Sequence, residues 1–321
     1  NGVTVHRATR DFRVGEKSYP AGSYVVKAAQ PLRPHVMDMF EPQDHPDDFL
    51  YEGGPPIPPY DSAGWTLAFQ MGVEFDRILD GFDGPFEKID GLAKPLPGKV
   101  TQHGGATGFL LDHAFNDAVV ATNRLLASDH SVYWLTEPIT ANGQTYPVGT
   151  VYIQAQSTTS KMLEKIASEL GLSFDSIESA PSGPAFLLRT VKIGLWDRYG
   201  GSMPSGWTRW LFEQFEFPFE VVYPQTLDAG NLNSSFDVLV FVTDAIPPGE
   251  VNMAPSARSR RRGQPEPDSI PAEYRGWLGR ITTEQTVPKI VEFLEAGGTV
   301  LAIGSSTNLG PLAGVPLGNH M

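Results

Sequence analysis

Lys192-Ile-Gly-Leu-Trp-Asp-Arg-Tyr-Gly-Gly-Ser-Met-Pro-Ser-Gly-Trp-Thr-Arg-Trp-Leu-Phe-Glu-Gln-Phe-Glu-Phe-Pro-Phe-Glu-Val-Val-Tyr223 is the stretch whose reading decides the fold. Lys192–Trp196 is a short apolar run and predicts a strand. Tyr199–Gly206, rich in glycine and serine, predicts a loop, with Ser205 placed to cap a helix. Trp207, Trp210, Leu211 and Phe215 then recur at helical spacing. Pro218 ends that helix, and Phe219–Tyr223 reads as a second strand. Strand, glycine loop, helix and strand in this order start a parallel α/β sheet, whose sites gather at the carboxyl ends of the strands.

The same pattern continues downstream. Phe236–Val242 is apolar throughout, as a central parallel strand requires. Residues 246–283, rich in Pro, Arg and Ser, read as a long mobile loop. Val287, Ile290, Val291 and Leu294 form a helical stripe, with Thr286 as cap, Pro288 in the first turn and Gly297-Gly298 at the end. Thr299–Ile303 is the last strand.

Upstream, Ser179-Ala-Pro-Ser-Gly-Pro184 reads as a linker. Before it, Thr107–Asp112 and His130–Leu135 predict strands, flanking a helix capped by Asn116 with Val119, Val120, Leu125 and Leu126 as its apolar positions. A repeat is visible: Ser18-Tyr-Pro-Ala-Gly-Ser-Tyr-Val-Val26 resembles Thr145-Tyr-Pro-Val-Gly-Thr-Val-Tyr-Ile153. Each copy is a Pro-x-Gly turn feeding a β-rich run, then a helix near Pro34–Phe40 or Ser160–Leu170. Two hairpins that share a turn, or a duplicated hairpin–helix unit, both account for it. Pro55–Pro59 favours extended backbone, Trp65–Met71 a short helix, and Gly91–Gly98 a boundary. The expected organisation is therefore a β-hairpin and helix region with a Pro-rich loop (1–98) and an α/β layer (99–182), separate or fused with the first. A parallel α/β domain follows (183–321).

A net charge of −13 argues against nucleic acid and anionic membranes as partners. The basic group Arg258, Arg260, Arg261 and Arg262 lies in the long loop and reads as solvated surface. With no cysteine, disulfides, zinc–thiolate sites and cysteine nucleophiles are excluded, and export is compatible. The chain starts at Asn1 without Met or signal peptide and ends shortly after a strand and turn, so it reads as part of a longer protein.

Two places carry chemistry. Thr299–Ile303 runs into Gly304-Ser-Ser-Thr-Asn-Leu309, and a strand entering a tight turn is how α/β folds lift a nucleophile. The small residues that such a turn needs fit best with Gly304 in the nucleophile's slot, an empty elbow. Ser305, the alternative nucleophile, requires a histidine within reach. The mouth formed by Gly200, Gly201 and Ser202 with Ser305 and Ser306 could hold a small ligand on free backbone N–H groups. The seven histidines begin no H-x-x-E or H-E-x-x-H motif. His35 and Asp38, and His45 and Asp48, have H-x-x-D spacing without a third ligand. Asp80, Asp83 and Asp90 offer at most a weak cation site, and no metal site is expected in this segment.

Gly201–Leu211 followed by Glu213–Phe219, Gly53–Asp61 with Gly64–Leu67, and Ile303–Leu309 together resemble the C-terminal region of large bacterial carboxypeptidase A-like zinc peptidases. The resemblance implies a preceding exported peptidase domain that holds the zinc, and a class I glutamine amidotransferase-like, flavodoxin-like module at residues 183–321. It implies a periplasmic or extracellular location, with the protein's own upstream peptidase domain as partner and a peptide or small molecule as further ligand. The peptidase motif has no match in this sequence, so no zinc ligand carries over. The amidotransferase elbow needs Cys and has Gly304 here. Thr243–Pro248 lacks the oxyanion-loop glycines. The leading expectation is a non-catalytic accessory region of a zinc metallocarboxypeptidase-like protein. The alternatives are a small-molecule-binding module and a serine hydrolase using Ser305.

Overall fold

Turn chemistry organises the amino-terminal part. The computed structural model describes residues 2–42, 46–57, 66–102, 104–248 and 264–317. The chain divides into two units, Asn1–Lys94 and Pro95–Met321. In the first unit the strands are β1 (His6–Ala8), β2 (Phe12–Val14), β3 (Lys17–Tyr19) and β4 (Tyr24–Val25). Helices α1 (Arg33–Phe40) and α2 (Leu67–Gln70) and strand β5 (Phe86–Lys88) follow. β1 lies between β4 and β5, antiparallel to both, and β2–β3 is a separate hairpin. Aromatic rings do much of the packing: Phe12 stacks on Tyr19 at 5.0 Å and meets Phe86 edge-on at 5.0 Å. The short helix expected over Trp65–Met71 is α2, and Trp65 and Pro58–Asp61 lie outside the described residues.

The second unit begins with a mixed layer. Its elements are β6 (Val100–Thr101), β7 (Gly108–Leu111), α3 (Asp117–Ala127), β8 (Val132–Leu135), β9 (Ile139–Ala141), β10 (Gln144–Tyr146), β11 (Val151–Gln154), α4 (Thr159–Leu170), β12 (Phe174–Ile177) and β13 (Ala185–Leu187). Six strands form one sheet in the order β13-β8-β11-β7-β12-β6, antiparallel except between β12 and β6. Phe109, Leu111, Val132, Val151 and Ile153 pack with Ala121 and Leu125 of α3 and Leu163 and Ile166 of α4. Alternate residues, Leu110, Tyr152 and Ile177, pack with Tyr146 of the β9–β10 hairpin. Covered on both faces, β7 is buried at all four positions. Val119, expected in the core, is more than a third exposed, because α3 points Ala118, Ala121, Thr122 and Leu125 inward instead.

The repeat is structural as well as sequential. In each copy a strand (β1 or β8) leads into a hairpin (β2–β3 or β9–β10), then a Pro-x-Gly turn, a strand antiparallel to the first (β4 or β11), and a helix (α1 or α4). Gly22 and Gly149 both have φ +89°, a left-handed conformation that disfavours any side chain. Gly22 N–H donates to Ala8 C=O and Gly149 N–H to Leu135 C=O, both at 2.8 Å. The returning strands match too, since β5 pairs with β1 as β13 pairs with β8.

The parallel layer completes the second unit. Its elements are β14 (Ile193–Trp196), α5 (Met203–Gln214), β15 (Phe219–Val222), α6 (Pro224–Asp228), β16 (Val238–Phe241), α7 (Thr286–Glu295), β17 (Thr299–Ala302) and α8 (Leu309–Leu312). The sheet order is β15-β14-β16-β17, every pair parallel. Leu195, Leu239, Phe241, Ile290 and Phe293 are its buried centre. Arg124 ties the layers together, bonding Glu169 at 2.8 Å and Glu216 at 2.7 Å, while Asn123 donates to the C=O of Phe215.

Three local expectations are corrected. α5 starts at Met203, with Ser202 at the cap position, and Ser205 lies inside the helix. Its buried hydroxyl donates to the C=O of Trp196 at 2.8 Å, fastening helix to strand rather than capping. Thr286 is likewise the first helical residue; its hydroxyl accepts the N–H of Thr282 and donates to Asp228 at 2.6 Å. Within the long loop, residues 264–281 pack on the sheet end: Gln225 donates to the C=O groups of Arg275 and Leu278, and Leu278 and Ile281 are buried. The arginine group at 258–262 lies outside the described residues.

Candidate functional site

The carboxyl ends of β14 and β17 carry the sequence-predicted residues. β14 delivers Asp197, and the chain turns through Gly200 and Gly201, both left-handed, to Ser202 and α5. Asp197 accepts the N–H of Arg198 at 2.8 Å and is also hydrogen-bonded by the Ser202 backbone. The loop that could cradle an external anion thus already turns N–H groups onto the chain's own carboxylate. Burial pushes the Asp197 carboxyl up, and these N–H groups and nearby Arg198 and Arg209 oppose the shift.

At the β17 end, Gly304 occupies the elbow with φ +59°. A Cβ there would lie 2.3 Å from Thr243 Oγ1, so a side chain in this slot would have to displace Thr243. Ser305 Oγ accepts the N–H of Asp244 at 2.8 Å and donates to Asp244 Oδ1 at 3.2 Å. Asp244 is itself left-handed, φ +69°, which turns its N–H and carboxylate onto one hydroxyl. Ser306, fully buried, accepts the N–H of Ile246 at 3.2 Å and donates to Val242 C=O. Both serines staple the β17 turn to the loop after β16. Among the described hydrogen bonds no histidine reaches Ser305; His130, buried beyond α3, faces Ser128 C=O at 3.1 Å.

A neighbouring cluster was not legible in sequence. Tyr223, directly after β15, stacks on Trp277 at 4.9 Å with an angle of 8°, and Tyr274 meets Trp277 edge-on at 4.8 Å. Burial and the Asp197 charge push the Tyr223 hydroxyl up, and Arg209 opposes them. Trp196 Nε1 is buried without a partner. The position of Asp197 after a parallel strand was the available signal; Trp277 comes from the long loop, far along the chain from Tyr223, and no local pattern announces it. A separate cleft of about 530 Å³ lies on the mixed layer, lined by Glu137, Ile139, Asn142, Ile177, Glu178 and Pro181.

Among the described residues no three His, Asp or Glu side chains gather as the ligands of a metal ion would. His45, His103 and His320 lie outside the described residues. Among the described residues no helix is long and apolar enough to cross a membrane. No family model, curated protein or solved structure matches this chain.

Proposed function

We propose that this chain is a non-catalytic accessory region of an exported zinc metallocarboxypeptidase-like protein, positioning or extending a peptidase domain encoded upstream. In this reading residues 183–321 are a flavodoxin-like, class I glutamine amidotransferase-like module without its chemistry. The strand order β15-β14-β16-β17, second-first-third-fourth in chain order, supports that fold. One observation carries the loss of catalysis: Gly304 stands in the nucleophile's slot, and Ser305 and Ser306 are committed to the loop after β16. Zinc then belongs to the parent's peptidase domain, and the location is periplasmic or extracellular.

A fluorophosphonate probe tests the silent elbow. Labelling of the chain is expected to equal that of a Ser305→Ala variant, and Ser305-dependent labelling would establish the hydrolase instead. Reading the parent gene upstream tests the accessory role: the expected result is an H-x-x-E peptidase domain, and its absence ends that role. The Asp197–Tyr223–Trp277 cluster favours a second reading, a small-molecule-binding module. A thermal-shift screen of amino acids, carboxylates and sugars decides it; stabilisation that Tyr223→Ala abolishes is the expected result, and no shift at millimolar ligand rejects it.

A further inference from the structure

Helix α5 is inverted. The side toward the sheet holds Ser205, buried, and Thr208 and Phe212, half-buried. The opposite side holds Met203, Trp207, Trp210 and Leu211, which are 79%, 63%, 49% and 46% exposed. Taking about 200 Å² for a large side chain, these four offer roughly 500 Å² of apolar surface. That is as large as the biggest patch on an ordinary monomer, about 300–600 Å².

The patch has the pattern of a helix-pairing seam. Met203, Trp207 and Trp210 are spaced four and three apart, the a/d spacing of paired helices. Met203, Gly206, Trp207 and Trp210 stand at i, i+3, i+4 and i+7, the four corners of a hole that accepts a partner's side chain. Gly206 leaves that hole deep: apart from its chain neighbours and its own helix backbone, nothing lies within 4 Å of where its Cβ would be. A deep hole requires a bulky knob, and the same face supplies two, Trp207 and Trp210, packed edge-on at 6.0 Å. Beside the patch, Arg209 is paired with Glu213 at 2.9 Å.

We propose that the outer face of α5 is a self-association surface, two copies of the chain pairing α5 against α5 about a two-fold axis. Knob and hole lie on one face, so the contact is self-complementary and closes at two. The four side chains of each copy bury about 1,000 Å² between them, which reaches the size of a specific interface once flanking residues are counted.

Sedimentation equilibrium of the whole chain, from about 1 to 100 µM at about 0.15 M salt, tests the pairing. The mass is expected to rise from 35.0 kDa toward twice that value. Trp207→Glu with Trp210→Glu, at exposed positions, is expected to give a monomer with an unchanged circular dichroism spectrum. Gly206→Leu fills the hole while adding apolar surface and helix propensity, and is expected to weaken the dimer at least tenfold. Plain stickiness would respond in the opposite direction. A monomer at every concentration, or a dimer that Gly206→Leu leaves intact or strengthens, overturns the proposal.

Discussion

The two copies of the hairpin–strand–helix unit use one turn chemistry and reach different degrees of burial. In the first, Val25 and Val36 retain 8% and 6% exposure and much of the contact is between aromatic rings. In the second, Ile153, Leu163 and Ile166 are essentially sealed, inside a six-stranded sheet covered on both faces. Local sequence therefore specifies a turn and a strand pairing, whereas the number of neighbouring strands sets how much apolar area leaves water. The tyrosines ending each hairpin show the same contrast. Tyr146 donates to Asp175 at 2.9 Å, and Tyr19 bonds Asp76, which also holds the Lys17 ammonium at 2.6 Å.

Core truncation tests the difference most strongly. Leu163→Ala is expected to cost about 3–4 kcal/mol, and Val36→Ala, at the matching helix position, about 2 kcal/mol, in urea unfolding. Equal costs would mean that the first copy is packed as tightly as the second. Next come the turns. Gly22→Ala and Gly149→Ala should each cost about 1–2 kcal/mol, because alanine is strained at φ +89°. Gly149 should be the costlier, since a Cβ there would lie 3.0 Å from the His113 ring.

Alkaline titration separates the tyrosines. Burial and the Asp175 charge hold the Tyr146 hydroxyl up at about 12. The unfolded tyrosine ionises near its ordinary value of about 10, while the folded one stays neutral, so stability is present below that pH and is lost as pH rises from there toward 12. The expected slope is about 1.4 kcal/mol per pH unit within that window, and Tyr146→Phe should flatten it. Tyr19→Phe should change the limb less, because Lys17 lowers what Asp76 raises. A slope that survives Tyr146→Phe would assign it to another group. The smallest effect concerns α4, which Glu169 and Arg124 link to the parallel layer. Arg124→Ala is expected to cost about 0.5–1 kcal/mol, a loss that salt should diminish, since these are partly exposed pairs. A cost above about 3 kcal/mol would indicate a buried pair instead.

Helices α4 and α5 extend the contrast. Both are twelve residues long, and α4 buries its apolar side through Leu163 and Ile166. In α5 the aromatic spacing was legible, but it marks the outer face rather than the core. Periodicity reports that a stripe exists and is silent on what covers it. The parallel strands were legible because buried runs such as Val238–Phe241 are apolar without interruption. At the site, the tight left-handed turn at Gly304 was legible through its neighbours' size, since crowding at a turn is a local property. Asp244 closing onto Ser305, and Trp277 stacking on Tyr223, join residues far apart in the chain and leave no local trace.

By itself the sequence determined the backbone requirements: left-handed glycines at Gly22, Gly149 and Gly304, the strand runs, and the lack of any thiol. These are properties of a residue and its nearest neighbours. The tertiary structure alone decided that Asp197 occupies its own loop's N–H groups, that the serines are staples, and that the tryptophans of α5 face outward. Hydrogen bonding and burial depend on distance in space, and only the closed sheet brings those partners within reach.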